Sequence, residues 1–171
     1  VLFVDHSVVE EGLRAVELAH ARGIPVVGDF EKDLHPRQPE LMRQIDHLVI
    51  GVRFAGQLTG EHEPAAMVRA LARPERAGCV VTAGERGCWY SERGEPVQHF
   101  PAFKIQAADT TGCGDVFHGA YAACIAQGEC IDVAVKTASA AAAIKATRPG
   151  GRSGIPNRAE MDRFIQFANH S

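Results

Sequence analysis

Apolar residues along this chain fall into short runs separated by longer amphipathic stretches, and that alternation predicts the order of elements. Val1–Val4 (VLFV) has the character of a buried strand. Ser7-Val8-Val9-Glu10 has capping-box spacing, Val9, Leu13 and Val16 follow at helical intervals, and Gly23 stands where that helix should stop. A second strand is predicted over Ile24–Gly28 (IPVVG), leading into Asp29-Phe30-Glu31-Lys32. A third is predicted over His47–Ile50 (HLVI) and, after a helix at Ala65–Leu71, a fourth over Cys79–Thr82 (CVVT). Strands that are apolar on both sides and alternate with helices describe a parallel sheet covered on both faces.

The pattern then changes. Cys88–Ser91 (CWYS), a turn around Glu92-Arg93-Gly94-Glu95, and Val97–Phe100 read as an antiparallel hairpin. A glycine-rich turn follows Phe103–Gln106, and a helix runs from about Gly114 to Gln127, stopped by Gly128. Ile131–Ala146 is a second, alanine-rich helix, hence one that packs closely, and Arg148-Pro149-Gly150-Gly151 breaks it. Asn157-Arg158-Ala159-Glu160 has the form of another capping box, opening a final helix with Met161, Phe164, Ile165 and Ala168 on one face. No internal repeat, low-complexity tract or linker interrupts the series. The expectation is one α/β domain over residues 1–171.

Composition narrows the function classes. With 46% apolar and 23% charged residues the chain falls in the globular range. A formal net charge of −3 and the lack of any basic run give nucleic acid no electrostatic footing. No apolar stretch is long enough for a membrane span, and no charged-then-apolar leader is seen, so a cytoplasmic location is expected. Five cysteines without C-x-x-C spacing (Cys79, Cys88, Cys113, Cys124, Cys130) fit reduced, mostly buried thiols. The eight histidines form no metal-binding pair, and His20 and His47 read as surface or edge residues. Because the chain opens on an apolar strand rather than on methionine, it reads as part of a longer polypeptide whose sheet expects neighbours beyond Val1–Val4.

The chemistry concentrates at Asp109–Asp115 (DTTGCGD), where a long helix begins inside a glycine-rich turn. Gly112, Cys113 and Gly114 place small side chains in succession, so their N–H groups can approach an anion at a helix N-terminus. Asp115, in the first helical turn, is placed to take a proton from a hydroxyl attacking phosphorus. Taken bare, such a string is common and reads as a plain capped helix start.

Other segments fall in order around it: VVTAGERGC at Val80–Cys88, FPAF at Phe100–Phe103, DTTGCGDVFHGA at Asp109–Ala120 and TRPGGRSGIP at Thr147–Pro156. DFEK at Asp29–Lys32 and LTG at Leu58–Gly60 precede them. Together they resemble the ribokinase-like family of sugar kinases (PfkB-type carbohydrate kinases), over essentially all 171 residues but only the C-terminal portion of such an enzyme. The resemblance implies a ribokinase-like three-layer α/β/α fold, a mostly parallel sheet plus an antiparallel hairpin, and transfer of the ATP γ-phosphate to a hydroxyl of a sugar or sugar-like substrate. The other reading is a nucleotide-binding fragment or pseudokinase without turnover.

It further implies Asp115 as base with Gly112, Cys113 and Gly114 as anion hole, and Thr82, Gly84, Glu85, Gly87, Thr110, Gly150 and Gly151 around the nucleotide. Glu31 matches a position that holds Mg²⁺ through water, although it also reads as a solvated loop residue. Asp109 and the carbonyls of the loop from Ala146 to Gly154 match a monovalent-cation site, K⁺, present in many members. A homodimer is an option for a full-length form. Cys113 stands where the family usually has alanine, and its place at a helix N-terminus could lower its pKa. The chain also departs from the N-x-x-E motif of many members: Gly51-Val52-Arg53-Phe54 offers neither asparagine nor carboxylate.

Overall fold

The structure, a computed structural model, describes residues 1–32 and 34–168; the remainder of the expected 1–171 domain lies outside the described residues. The chain forms two compact units, one of Val1–Gly84 with Cys88–His99, the other of Glu85–Gly87 with the chain from Phe100 onward.

The first unit is built on strands β1 (Leu2–Asp5), β2 (Val26–Asp29), β3 (His47–Gly51), β4 (Gly78–Thr82) and β5 (Cys88–Glu92). With β6 (Gln98–Phe100) they make a six-stranded sheet in the order β1-β2-β3-β4-β5-β6. The first four strands are parallel and β5 is antiparallel to β4, so the expected mostly parallel sheet with an added hairpin is the one observed. Parallel strands laid down in sequential order with right-handed crossovers put every connecting helix on one face. Accordingly α1 (Val9–His20), α2 (Gln38–Arg43), α3 (Val52–Thr59) and α4 (Pro64–Leu71) share one core with Val4, Val26, Leu48, Ile50, Cys79 and Val81. The alternate strand residues Val27, Val49 and Val80 are fully buried as well.

Several local expectations change. Among the described residues β1 forms one edge of the sheet, with Phe3 43% exposed. The Ser7–Glu10 capping box does not form: α1 starts without a side-chain cap, Asp5 accepts the Ser7 N–H at 2.7 Å, and Glu10 pairs with Arg37. The α2 and α3 helices were not anticipated. His47 is buried within β3, and burial holds its imidazole down at about 4, so it stays neutral. His20 is the surface residue it was expected to be, bonded to Asp46 at 3.1 Å, and Asp46 also accepts the Val26 N–H at 2.8 Å. The hairpin turn has positive φ at both Arg93 (46°) and Gly94 (74°), the geometry that suits the strand twist. All five cysteines are free, and Cys79, Cys88 and Cys124 are buried.

The second unit holds α5 (Cys113–Ala126), α6 (Ile131–Ala146) and α7 (Arg158–Ala168). The α6 boundaries are those expected. Ala134, Ala138, Ala140 and Ala141 are buried on α6, as are Tyr121, Ala122 and Cys124 on α5, and small side chains let the two helices approach closely. At α7 the second capping box is real and reciprocal: Glu160 N–H donates to Asn157 Oδ1 at 3.0 Å, and Asn157 N–H to Glu160 Oε2 at 2.8 Å. Arg148 reaches Glu160 at 2.6 Å, and this hydrogen bond is the main reason its carboxyl titrates below the usual range. Phe103 meets the Phe164 and Phe100 rings edge-on at 5.1 and 5.6 Å.

One buried cation ties the first unit together. Arg76, 5% exposed, donates to the carbonyls of Ile45 (3.3 Å), Leu71 (2.8 Å) and Met42 (2.7 Å), and burial pulls its guanidinium down to about 10. Removing it strands three carbonyls at the end of α2 and α4. We expect Arg76→Met to cost about 2–4 kcal/mol in urea unfolding; an unchanged midpoint and slope would show that those carbonyls find other donors.

Candidate active site

The turn at Asp109–Asp115 takes its shape from the end of α6. The N–H groups of Ala108 and Asp109 both donate to Ala146 O, at 2.7 and 3.1 Å. The Asp109 carboxylate then binds the chain on both sides: Oδ1 accepts Thr111 N–H and Oδ2 accepts Gly150 N–H, each at 2.9 Å. The Thr111 bond first, then the Gly150 amide, hold its carboxyl down at about 2. Lys145, whose side chain is fully buried, donates from Nζ to Asp109 O at 2.8 Å and lies 3.9 Å from Oδ1.

This scaffold launches α5. Gly112 is its N-cap at φ 73°, a conformation that suits glycine. A β-carbon there would stand 3.6 Å from the Asp115 carboxylate and 4.0 Å from the Gly151 Cα, so Gly112, Asp115 and Gly151 converge. Gly114 and Gly151 open onto free space, with nothing within 4 Å of an added β-carbon. Asp115 is exposed in the first turn. Of the N–H groups expected to form the anion hole, that of Cys113 donates to Thr110 O at 3.2 Å. The N–H groups of Gly112, Gly114 and Asp115 have no acceptor among the described residues. The Cys113 thiol is pushed up by partial burial, not lowered by the helix terminus.

Two residues at this site escaped the sequence reading. His118, buried, contacts Gly114 O through Nδ1 at 2.8 Å and braces the first turn of α5. Lys145 falls on the buried stripe of α6 with Ala134, Ala138 and Ala141; a lysine in register with buried alanines was the available signal.

Gly87 belongs to this unit, and its backbone has a structural reason to be glycine. It sits at φ 84°, and an added β-carbon would collide with Phe100 O and come within 2.7 Å of Ala102 N. Glu85 is exposed in the 3₁₀ turn Gly84–Arg86. In the first unit, Thr82 ends β4 with its hydroxyl 3.5 Å from Ile50 O, and Gly84 has φ 58°. Glu31 is exposed just beyond the C-terminal end of β2, anchored by the fully buried Phe30 beside it. Gly28 makes room for that ring, since a β-carbon would come within 2.7 Å of it.

Residues 2–158 match the family described as pfkB family carbohydrate kinase. The chain belongs to that family. A Bacillus subtilis ribokinase is 29% identical, the match covering 96% of this chain and 54% of that enzyme. The crystal structure of a candidate ribokinase from Agrobacterium tumefaciens superposes at a TM-score of 0.89 with 32% identity, covering 99% of this chain and 56% of the other. An Arabidopsis thaliana ribokinase, solved with ribose and ATP, shares the fold at a TM-score of 0.85 with 22% identity, covering 96% and 55%. The ribokinase-like fold expected from the motifs is therefore confirmed, and this pfkB-family chain spans about half the length of the relatives it matches. Among the described residues no helix is long and apolar enough to cross a membrane.

The groups implied by the family differ in how well the residues suit them. An anionic phosphoryl group fits the open space at Gly114 and Gly151 and the free N–H groups at the start of α5. Among the described residues no cluster of three His, Cys, Asp or Glu could cage a metal. Mg²⁺ is commonly held by one or two carboxylates, water and substrate phosphates, and Glu31 is an exposed carboxylate of that kind. K⁺ does not fit at Asp109: its carbonyl accepts an ammonium and each carboxylate oxygen accepts an amide.

The low-lying Asp109 carboxyl has a consequence for acid stability. Its folded value lies below the unfolded one, so its contribution is present above about pH 4 and is lost as pH falls toward about 2. Asp109→Asn should lower the melting temperature at neutral pH and flatten its decline across that window. An acid limb identical to that of the parent would mean the carboxylate is not held as described.

Proposed function

We propose that this chain carries the phosphoryl-transfer site of an ATP-dependent carbohydrate kinase. The observation that carries the reading is the convergence of an exposed Asp115 with unbonded helix-terminal N–H groups and glycines that leave room for a ligand. The family assignment and the ribose- and ATP-bound relative of the same fold support it.

In this reading Asp115 accepts the proton of a substrate hydroxyl as its oxygen attacks the γ-phosphorus. The bond from that phosphorus to the bridging oxygen breaks, and ADP leaves. The N–H groups of Gly112, Gly114 and Asp115, aided by the helix terminus, stabilise the charge that spreads over the phosphoryl oxygens. Cys113, expected to donate there too, serves instead to close the turn through its bond to Thr110, and its small side chain keeps the approach clear. When bound, Mg²⁺ supplies charge neutralisation on the phosphates, and Glu31 is its proposed carboxylate. Thr82, Gly84, Glu85, Gly87, Thr110, Gly150 and Gly151 are proposed nucleotide contacts on the strength of the motif match. The acceptor is proposed to be a sugar, since relatives include ribokinase, deoxyribokinase and fructokinase.

The half-length coverage favours a second reading for the chain by itself: nucleotide binding without turnover. ADP release by the 171-residue chain with ribose, deoxyribose and fructose, set beside ATP binding, separates the two.

Asp115→Asn, in the longest form of the protein that phosphorylates a sugar, should cut kcat by about 10²–10⁴-fold with nucleotide affinity nearly unchanged. Retention of most of the turnover would remove Asp115 from the mechanism. Gly114→Val meets no protein atom at its β-carbon, so it should leave the fold intact while crowding the phosphate. We expect ATP binding weakened by at least about tenfold in calorimetry; parent-like affinity would move the phosphates elsewhere.

A further inference from the structure

We infer that the Lys145 ammonium is a built-in replacement for a bound monovalent cation, so that the turn bearing the proposed anion hole is locked without K⁺. Lys145 has no exposed side-chain surface, and a buried ammonium persists only where oxygen atoms receive its protons and a carboxylate balances its charge. Asp109 supplies both, through its carbonyl at 2.8 Å and its carboxylate oxygen at 3.9 Å. The same carboxylate spans from Thr111 in the glycine-rich turn to Gly150 in the loop after α6. One positive charge thus sits behind the residue that joins the two segments. A bound alkali ion would do the same work by drawing carbonyl and carboxylate oxygens around a single charge.

Adding a second cation here would place like charges at close range where water is excluded, which is strongly unfavourable. It would also have to take Asp109 O from the lysine. The loop itself is closed by its own bonds: Arg148 N–H donates to Lys145 O at 3.0 Å and Ser153 Oγ to Pro149 O at 3.0 Å. Gly154 is packed so tightly that an added β-carbon would lie 3.3 Å from Lys145 O and 3.4 Å from Lys145 Cγ. The aliphatic stem of the lysine therefore fills the space between helix and loop, and its head supplies the charge.

The lock is a property of the chain alone. Only its consequence, a kinase indifferent to K⁺, rests on the proposed function. The test therefore uses no nucleotide or sugar: thermal unfolding of the 171-residue chain in KCl, NaCl or choline chloride at equal ionic strength. The parent should unfold at the same temperature in all three, within about 1 °C. Lys145→Ala should melt lower in choline and recover by about 3 °C or more, saturably, as K⁺ replaces choline, with Na⁺ less effective. A saturable, K⁺-selective rise in the parent would overturn the proposal, as would a folded Lys145→Ala that ignores K⁺. Thallium NMR of the parent, with Tl⁺ as the K⁺ probe, needs no variant. We expect no bound Tl⁺ signal, and a bound signal displaced by K⁺ would overturn the inference even if Lys145→Ala failed to fold.

Discussion

The carboxylate of Asp109 is the constraint on which the second unit depends. It joins segments 41 residues apart in sequence, and a buried lysine 36 residues away backs it from the other side. Closing a loop of that length costs conformational entropy, and a lone neutral hydrogen bond would repay little of it. A charge-assisted set, with two amides on the carboxylate and an ammonium on the carbonyl, is stronger and directional. With that junction made, Gly112 can take its left-handed conformation and α5 can begin with its first N–H groups turned outward. The site is thus a consequence of how the turn is held from behind, as much as of the residues that line it.

The first unit shows a different division of labour. Its charged and polar anchors gather at the N-terminal ends of the strands, where Asp46 receives Val26 N–H and His20, and Arg76 caps the carbonyls of Met42, Ile45 and Leu71. Glu31 and Thr82 stand at the opposite, C-terminal ends. Ligands in open α/β sheets bind at that end.

Family membership and site chemistry rest on separate grounds here. The family follows from a match over residues 2–158. The proposed chemistry rests on local geometry: an exposed carboxylate, free amides, and glycines whose missing side chains leave room. Lys145 illustrates why the two must be kept apart. The motif carries the expectation of a cation site, while the neighbouring helix supplies a side chain that occupies its role.

What the sequence by itself determined were features set by near neighbours. The span of α6, the hairpin with its Arg93-Gly94 turn and the Asn157–Glu160 capping box were all legible because the interacting groups lie within a few residues of one another. So was the DTTGCGD string, whose glycines announce the helix start observed at Gly112 and Cys113. Tertiary structure decided the rest. Ser7 lost its cap because Asp5 and the distant Arg37 claimed the groups it needed. His47 became a core residue because its strand lies between two others. The short α2 and α3 helices carry too few turns to announce a period, and packing against the sheet stabilises them. Gly87 owes its necessity to a backbone segment arriving at Phe100–Ala102, and Lys145 owes its meaning to a carboxylate 36 residues away. Local pattern encodes which elements form. Which polar group meets which, and so what charge a site holds, is settled only when segments remote in the chain are brought within bonding distance.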